Sequence, residues 1–293
     1  MPNFQIETAP SCADAQEPGV LSVAQARERI LRDTAVLSGE ERVDLRSALG
    51  RTLCRDVISP MNVPGYDNSA MDGYALPGDQ LPENAFVDLD VIGTIHAGGR
   101  FDARCGPGQC VRIMTGAAMP DGTDTVVMQE QVMVLEGERI RVGSGHRTGQ
   151  NVRLAGEDIP AGSVVIHTGK TLLPADIGIL ASVGVSEVSV RRRARVAFFS
   201  TGDELRCIGE PLKEGDVYDS NRYTLYGMLK RLDVELLDLG VIGDSEDALR
   251  EAFESAAGMA DIVITSGGVS VGEADYTRIV LEQLGEMNFW KIA

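Results

Sequence analysis

From Arg195 onward, apolar and polar positions change in blocks that alternate between two periods. Val196 to Phe199 is an unbroken apolar run, the pattern of a strand buried on both faces. A helix is expected from Asn221 to Leu232, capped by Ser220, with Leu225, Met228, Leu229 and Leu232 spaced i, i+3, i+4, i+7. Val234 to Ile242 reads as the next strand. Ser245 to Ala257 reads as a helix with Leu249 and Phe253 on one side, and Ile262 to Thr265 as a third strand. Ala274 to Leu284 follows as a helix with Tyr276, Ile279, Val280 and Leu284 inward, and Asn288 to Ile292 begins a fourth strand. Strict alternation of strand and helix implies right-handed crossovers and an open, doubly wound parallel sheet. Such sheets carry helices on both faces, so a sheet ending in its fourth strand is expected to be the front part of a longer protein.

Upstream, the periods differ. Ser22 with Gln25 forms the sequence of a capping box, and Val23, Ala26 and Ile30 share one face of a helix running to about Leu37. A short helical or extended piece from Leu45 to Pro60 follows. Residues 61–149 are rich in Gly, Pro and Asp, with strand-like runs at Phe86–Ile95, Cys110–Met114, Thr125–Leu135 and Arg139–Val142 and no convincing helical period. They predict a small β domain inserted between residues 20–60 and 150–192, which form a linker or arm domain. In the latter, Ser163–Ile166 reads as a strand and Pro174–Val183 as a helix stopped by Gly184. The domain from 193 to 293 is the α/β one. The fold class is multidomain α+β and α/β: an elongated chain with an inserted β domain, then a doubly wound sheet cut at its fourth strand.

Composition narrows the function. At 293 residues, length alone suggests about two domains; the change of pattern along the chain makes three. Forty-four acidic against 27 basic side chains leave a net charge of −17, which argues against nucleic-acid or anionic-membrane binding but not against a small anion held by backbone NH groups. No apolar run approaches the roughly 18 residues of a membrane span. The first 19 residues lack the basic and apolar blocks of a signal peptide and read as a flexible leader. Five scattered cysteines without CxxC, and three histidines at no ligand spacing, point to a reduced cytoplasm and no zinc site. The run Arg191–Arg193 reads as a solvated boundary or strand edge.

In open parallel sheets, ligands bind beyond the carboxyl ends of the strands. Those ends are expected at Ser200-Thr201-Gly202-Asp203-Glu204, at Gly243-Asp244, and at Thr265 to Tyr276. The third offers successive NH groups and hydroxyls before a helix N-terminus, which suits a phosphate, though an ordinary Gly-rich connection would use the same residues. It is neither a Walker A loop nor GxGxxG. Asp203, Glu204, Asp244, Glu273 and Asp275 lie on this rim, and carboxylates beside an oxyanion site call for an intervening cation, most simply Mg²⁺. Singly, each is more often a helix cap or first-turn acid, by roughly two to one, but five at three adjacent strand ends speak against a joint coincidence. The segment Val63–Ala75 is polar, turn-forming and flanked by aromatics, and reads as either a functional loop or a hairpin loop.

The segments NVPGYDNSAMDGYA (62–75), RIMTGAAMPDGTDTVVMQE (112–130) and NVRLAGEDI (151–159) resemble the molybdopterin molybdotransferase family of MoeA type, which includes the gephyrin E domain. FSTGDEL, YDSNRYTL and ITSGGVSVGEADY resemble the same family in the same order. The resemblance implies insertion of molybdate into adenylated molybdopterin, with release of AMP and a requirement for Mg²⁺. It also implies homodimers whose clefts lie between the sheet domain of one subunit and the β domain of the other, and a molybdopterin adenylyltransferase as a further partner. By motif, Asp72 is implied to face the cleft from the partner. Asp158, Glu204, Asp244 and Asp275 are implied as functional acids, the last three as metal ligands, and Lys291 as a cleft lysine. Gly267, Gly268 and Ser270 match the pterin-phosphate loop, and Thr201, Gly202 and Ser266 are assigned to substrate binding with them. Relative to that family, a Lys-Pro-Gly-Lys-Pro segment, a Leu-Pro-Gly-Asn-Pro loop and a C-terminal β domain are missing, so a binding or scaffold fragment is a rival expectation. A molybdopterin adenylyltransferase is a third, against which the long 22–190 region speaks.

Overall fold

Ser22 starts the first helix, α1 (Val23–Asp33), as its sequence predicts: its side chain accepts from the Gln25 amide, and Gln25 returns the bond to the Ser22 NH. The burial differs from expectation. Ala26 is buried, but Val23 and Ile30 are 68% and 50% exposed, because nothing among the described residues packs over them. The computed structural model describes residues 21–267, 276–286 and 292. They fall into two compact units, Glu40–Arg191 and a second that joins residues up to Gly39 with those from Arg192. No helix among the described residues is long and apolar enough to cross a membrane.

In the 40–191 unit, β1 (Glu40–Asp44), β2 (Val57–Ile58) and β3 (Asn68–Ser69) precede a six-stranded sheet. The sheet comprises β4 (Gly73–Leu76), β5 (Phe86–Ile95), β6 (Gln109–Ile113), β7 (Thr125–Met128), β8 (Val132–Leu135) and β9 (Arg139–Gly143), in the order β7-β4-β6-β5-β9-β8. The apolar run expected as one strand from Thr125 to Leu135 is two strands. A short turn at Gln129–Gln131 breaks it, and β7 and β8 occupy opposite edges of the sheet. Burial on both faces follows alternation along β4: Tyr74 and Leu76 join one core with Leu89 and Val142, while Ala75 joins another with Ile95 and Val111. After β10 (Val152–Arg153) and β11 (Val164–Ile166), α2 (Pro174–Ser182) ends at Gly184, whose φ of 75° the sequence foresaw as a stop. The unit closes with β12 (Glu187–Arg191), paired antiparallel with β1. A third core unites Ala48 and Leu53 with Ile166, Leu172, Leu180, Val188 and Val190.

In the second unit, β13 (Arg195–Thr201) is the central strand, followed by the short pair β14 (Leu205–Arg206) and β15 (Val217–Tyr218). Then come α3 (Ser220–Lys230), β16 (Glu235–Ile242), α4 (Glu246–Met259), β17 (Ile262–Ser266) and α5 (Tyr276–Leu284). The sheet is parallel in the order β16-β13-β17. Val196 and Phe198 pack with Leu229 of α3 on one face, and Phe199 packs with Leu249, Phe253 and Val280 of α4 and α5 on the other. The doubly wound arrangement predicted from the apolar run is thus observed for three strands. Of the expected fourth strand, only Ile292 lies within the described residues, in a parallel bridge with Leu21.

Helix details correct the expectation. α3 is capped by Asp219, whose carboxylate accepts from the Arg222 amide, and Ser220 is the first helical residue. Met228 and Leu232 are 62% and 69% exposed; Leu232 lies beyond the helix end, where the helical phase no longer applies. On α5, Ile279 and Leu284 are also exposed, and Thr277 and Val280 take the buried positions. Two of the three residues of the basic run form ion pairs, Arg192 with Asp261 and Arg193 with Asp233, and Arg191 ends β12. Two bonds from Arg192 and one from the Arg195 amide hold the Asp261 carboxyl well below the ordinary carboxylate range. With the folded value depressed, this contribution to stability is full above the unfolded value near pH ~4 and is lost as the pH falls toward the folded value. Asp261→Asn is therefore expected to lower the melting temperature at pH 7, with the gap to wild type narrowing below about pH 4. An equal gap at pH 3 and pH 7 would contradict the linkage.

Candidate functional site

The chemistry-bearing turns meet where β13 and β17 end. Ser200 pairs with Ser266 in register, which brings the Thr201 turn beside Gly267. A Cβ on Gly267 would sit 2.5 Å from the Thr201 carbonyl oxygen and 2.8 Å from Thr201 Oγ1, so the close approach requires glycine. Its φ of 104° requires it independently. Beside this crossing lies a cavity of about 300 Å³, lined among others by Thr201, Glu204, Asp219, Asn221, Ser266 and Gly267.

Two atoms of the cavity wall stand out. Thr201 is 4% exposed, yet its Oγ1 has no hydrogen-bond partner; Asp219 is 2% exposed, and its Oδ2 makes no hydrogen bond but is ion-paired with Arg222 Nε at 3.3 Å. Buried polar atoms normally have one, and an orphan beside a cavity is the signature of a site that a ligand completes. Ser200 Oγ and Thr265 Oγ1, from the same strand ends, are buried without a partner too. Glu204 is exposed, with its carboxylate folded over Gly202: Oε2 lies 2.7 Å from where a Gly202 Cβ would be. Substituting Gly267 by Ala is expected to weaken binding of inorganic pyrophosphate about tenfold, since the Thr201 backbone must retreat from the added methyl. Calorimetric titration checks it; unchanged affinity would place the anion elsewhere.

The expected residues are distributed as follows. Thr201, Glu204, Ser266 and Gly267 line one cavity, and Gly202 provides the turn between the first two. Asp244 stands in the adjacent turn, where its NH donates to Asp203 Oδ1 at 3.0 Å, and neither acid lines the cavity. Gly268, Ser270, Glu273, Asp275 and Lys291 lie outside the described residues. Asp72 and Asp158 belong to the 40–191 unit. Asp72 Oδ1 accepts from both the NH (2.8 Å) and the hydroxyl (2.7 Å) of Thr115, and these bonds lower its pKa from the ordinary carboxylate range. Asp158 is ion-paired with Arg153.

Asp219 was missed as a site residue from sequence. The YDSNR segment invites a helix-cap reading, with Ser220 as the obvious cap, and nothing local shows that residue 219 reaches a cavity built by residues 201 and 267. The rim acids are oxygen donors, the chemistry Mg²⁺ prefers. Among the described residues there is no group of three or more His, Cys, Asp or Glu able to hold a metal ion. Glu204 and Asp219 on one cavity wall supply carboxylate oxygens, the donor type that suits Mg²⁺, whereas Asp244 is not on that wall. The four described cysteines are free thiols.

A doubly wound sheet with a polar cavity at its strand ends defines the class: an α/β ligand-binding domain joined to a mixed β-sheet unit. Residues 21–184 match the MoeA N-terminal region (domain I and II), and residues 197–293 match the probable molybdopterin binding domain. Molybdopterin molybdenumtransferase of Haemophilus influenzae is 45% identical over 274 residues, covering 94% of this chain and 67% of that protein. The enzyme of the same name from Nostoc sp. is 42% identical over 248 residues, covering 84% of this chain and 57% of its own length. The crystal structure of a molybdopterin biosynthesis MoeA protein from Pyrococcus horikoshii superposes with a TM-score of 0.79 at 33% identity, covering 94% of this chain and 69% of that one. The chain belongs to the MoeA family of molybdopterin molybdenumtransferases. It spans 57% to 69% of the length of these relatives.

Proposed function

We propose that this chain inserts molybdate into adenylated molybdopterin, releasing AMP, in the synthesis of molybdenum cofactor. The observation that carries this reading is the unpartnered Thr201 hydroxyl, buried on a cavity wall that also bears Glu204 and Asp219. Adenylated molybdopterin contains a pyrophosphate, and its charge suits a site of hydroxyls and backbone NH groups set among carboxylates that carry a cation. Glu204 and Asp219 would hold Mg²⁺, which when bound neutralises phosphate oxygens. Thr201 Oγ1, Ser266 and Gly267 orient a phosphate, and Asn221 supplies a further amide. No residue is assigned a nucleophilic role. AMP leaves when an oxygen of molybdate or water attacks a phosphorus of the pyrophosphate and the anhydride P–O bond breaks, a step governed by positioning and charge neutralisation.

The reading extends to a cytoplasmic homodimer in which Asp72, oriented by Thr115, enters the cleft from the partner, with Asp158, Asp244, Asp275 and Lys291 as further cleft residues and a molybdopterin adenylyltransferase delivering the substrate. Incubation with adenylated molybdopterin, Mg²⁺ and molybdate tests it: AMP release with formation of molybdenum cofactor is expected. Binding without AMP release would indicate a binding protein instead, and ATP consumption would indicate an adenylyltransferase. For the shared cleft, dimers mixed from Asp72→Ala and Glu204→Ala subunits are expected to regain part of the activity that each homodimer lacks, and no regain would rule it out.

A further inference from the structure

Behind the cavity wall, outside the residues that line it, lies a guanidinium with three polar partners and the Tyr223 ring 5.5 Å away. Arg222, whose side chain is only 11% exposed, places Nε 3.3 Å from Asp219 Oδ2 and Nη1 3.3 Å from Asp238 Oδ1, while Nη2 donates to Cys207 Sγ at 3.6 Å. Its own backbone NH caps onto Asp219 Oδ1. Both carboxylate oxygens of Asp219 are therefore set against one residue, one by the main chain and one by the side chain.

Asp238 marks an irregularity in β16. Phe198 pairs with Asp238 and Ser200 with Val241, so Leu239 and Gly240 together face the single residue Phe199. This is a β-bulge, a device that bends a strand and re-aims its downstream residues. Gly240 has φ 81°, its NH donates to Asp238 Oδ1 at 3.0 Å, and a Cβ there would lie 3.5 Å from Arg222 Nη1. The same guanidinium thus grips the bulge of β16, which leads into the Gly243–Asp244 turn, and the carboxylate that caps α3 and faces the cavity. An arginine fork suits such a task, because its planar donors address several acceptors in fixed directions.

We propose that Arg222 is a positioning residue: it ties Asp219 to the β16 bulge and so fixes the carboxylate on the cavity wall where the nucleotide phosphates bind. The role rests on the assignment of that cavity to the adenylated substrate. Asp219 Oδ2 and Arg222 Nε, both buried, form an ion pair at 3.3 Å that lacks hydrogen-bond geometry. Loss of the guanidinium leaves the carboxylate held at Oδ1 alone, by the Arg222 backbone NH, and so frees Oδ2 to move.

A double-mutant cycle on the full chain tests this, with AMP and Mg²⁺ as the calorimetric probe. Arg222→Met and Asp219→Asn are each expected to weaken AMP binding about tenfold or more, and the double variant to bind no more weakly than either single one, since both remove the same oriented charge. A merely structural role for Arg222 would instead cost the same affinity in both backgrounds, and additive losses would overturn the proposal. Arg222→Lys, which keeps the charge without the fork, is expected to retain the fold and lose less affinity than Arg222→Met; wild-type affinity in both would also overturn it. Should Arg222→Met fail to fold, Arg222→Gln takes its place in the cycle. Wild-type protein that neither binds AMP nor releases it from adenylated molybdopterin would sink the cavity assignment itself, and the role of Arg222 with it.

Discussion

Replacing Glu204 by Gln is expected to slow AMP release about a hundredfold or more while leaving the melting temperature within about a degree of wild type. The two halves of this expectation have separate physical grounds. Glu204 is exposed and contributes nothing to a core, so an isosteric change there falls among the surface substitutions that alter stability by less than about 0.5 kcal/mol. Its carboxylate nevertheless stands on the cavity wall with Thr201 and Asp219, where the proposed Mg²⁺ must offset the charge of a pyrophosphate. Removing one of two oxygen anions that hold a catalytic cation is worth several kcal/mol in the transition state, and each 1.36 kcal/mol is about tenfold in rate. Parallel measurements of AMP release and thermal melting decide it. Near-normal turnover would remove Glu204 from the metal site, and a large fall in melting temperature would recast it as structural.

Phe199→Ala is expected to destabilise the 192–293 unit by about 3–5 kcal/mol, the range for truncating a fully buried aromatic. Phe199 is wholly buried in the middle of β13, and its ring meets that of Phe253 edge-on, with centroids 5.1 Å apart and planes at 70°. The void would open between the central strand and α4, directly before Ser200 and Thr201. Denaturant titration measures the loss, and a cost under about 1 kcal/mol would mean that α4 collapses onto the strand to fill the space. Because the same strand carries the Thr201 turn, weaker pyrophosphate binding should accompany the lost stability.

Much of the second unit was legible along the chain. Continuous apolar character in Val196–Phe199 marked a strand covered on both faces, and α4 appeared with its buried Leu249 and Phe253 as expected, Ser245 being its cap and not its first residue. Errors arose where burial depends on a distant partner. Val23 and Ile30 lie on the face that periodicity selected, yet are exposed, since a periodic stripe states which face is apolar and not whether anything covers it. The split of Thr125–Leu135 into two edge strands has a similar origin: Gln129–Gln131 is a weak local break, and the separation of β7 from β8 is made by pairing with β4 and β9.

The site divides the same way. Local sequence was sufficient to mark the Thr201, Asp244 and Gly267 turns as strand ends rich in glycine, hydroxyls and acids, because turn chemistry is a property of neighbouring residues. The MoeA-type motifs further tied those turns to a family. Which turns share a cavity was decided only in three dimensions, by the strand order β16-β13-β17, which sets Gly267 against Thr201 and leaves Asp244 beside Asp203. The same tertiary arrangement brought in Asp219 and placed Arg222 behind it, against a bulge that exists only because two strands pair out of step. Periodicity and motif act over a few residues, whereas strand pairing and the burial of charge are long-range, so the linear pattern names the chemistry and the fold alone assembles it.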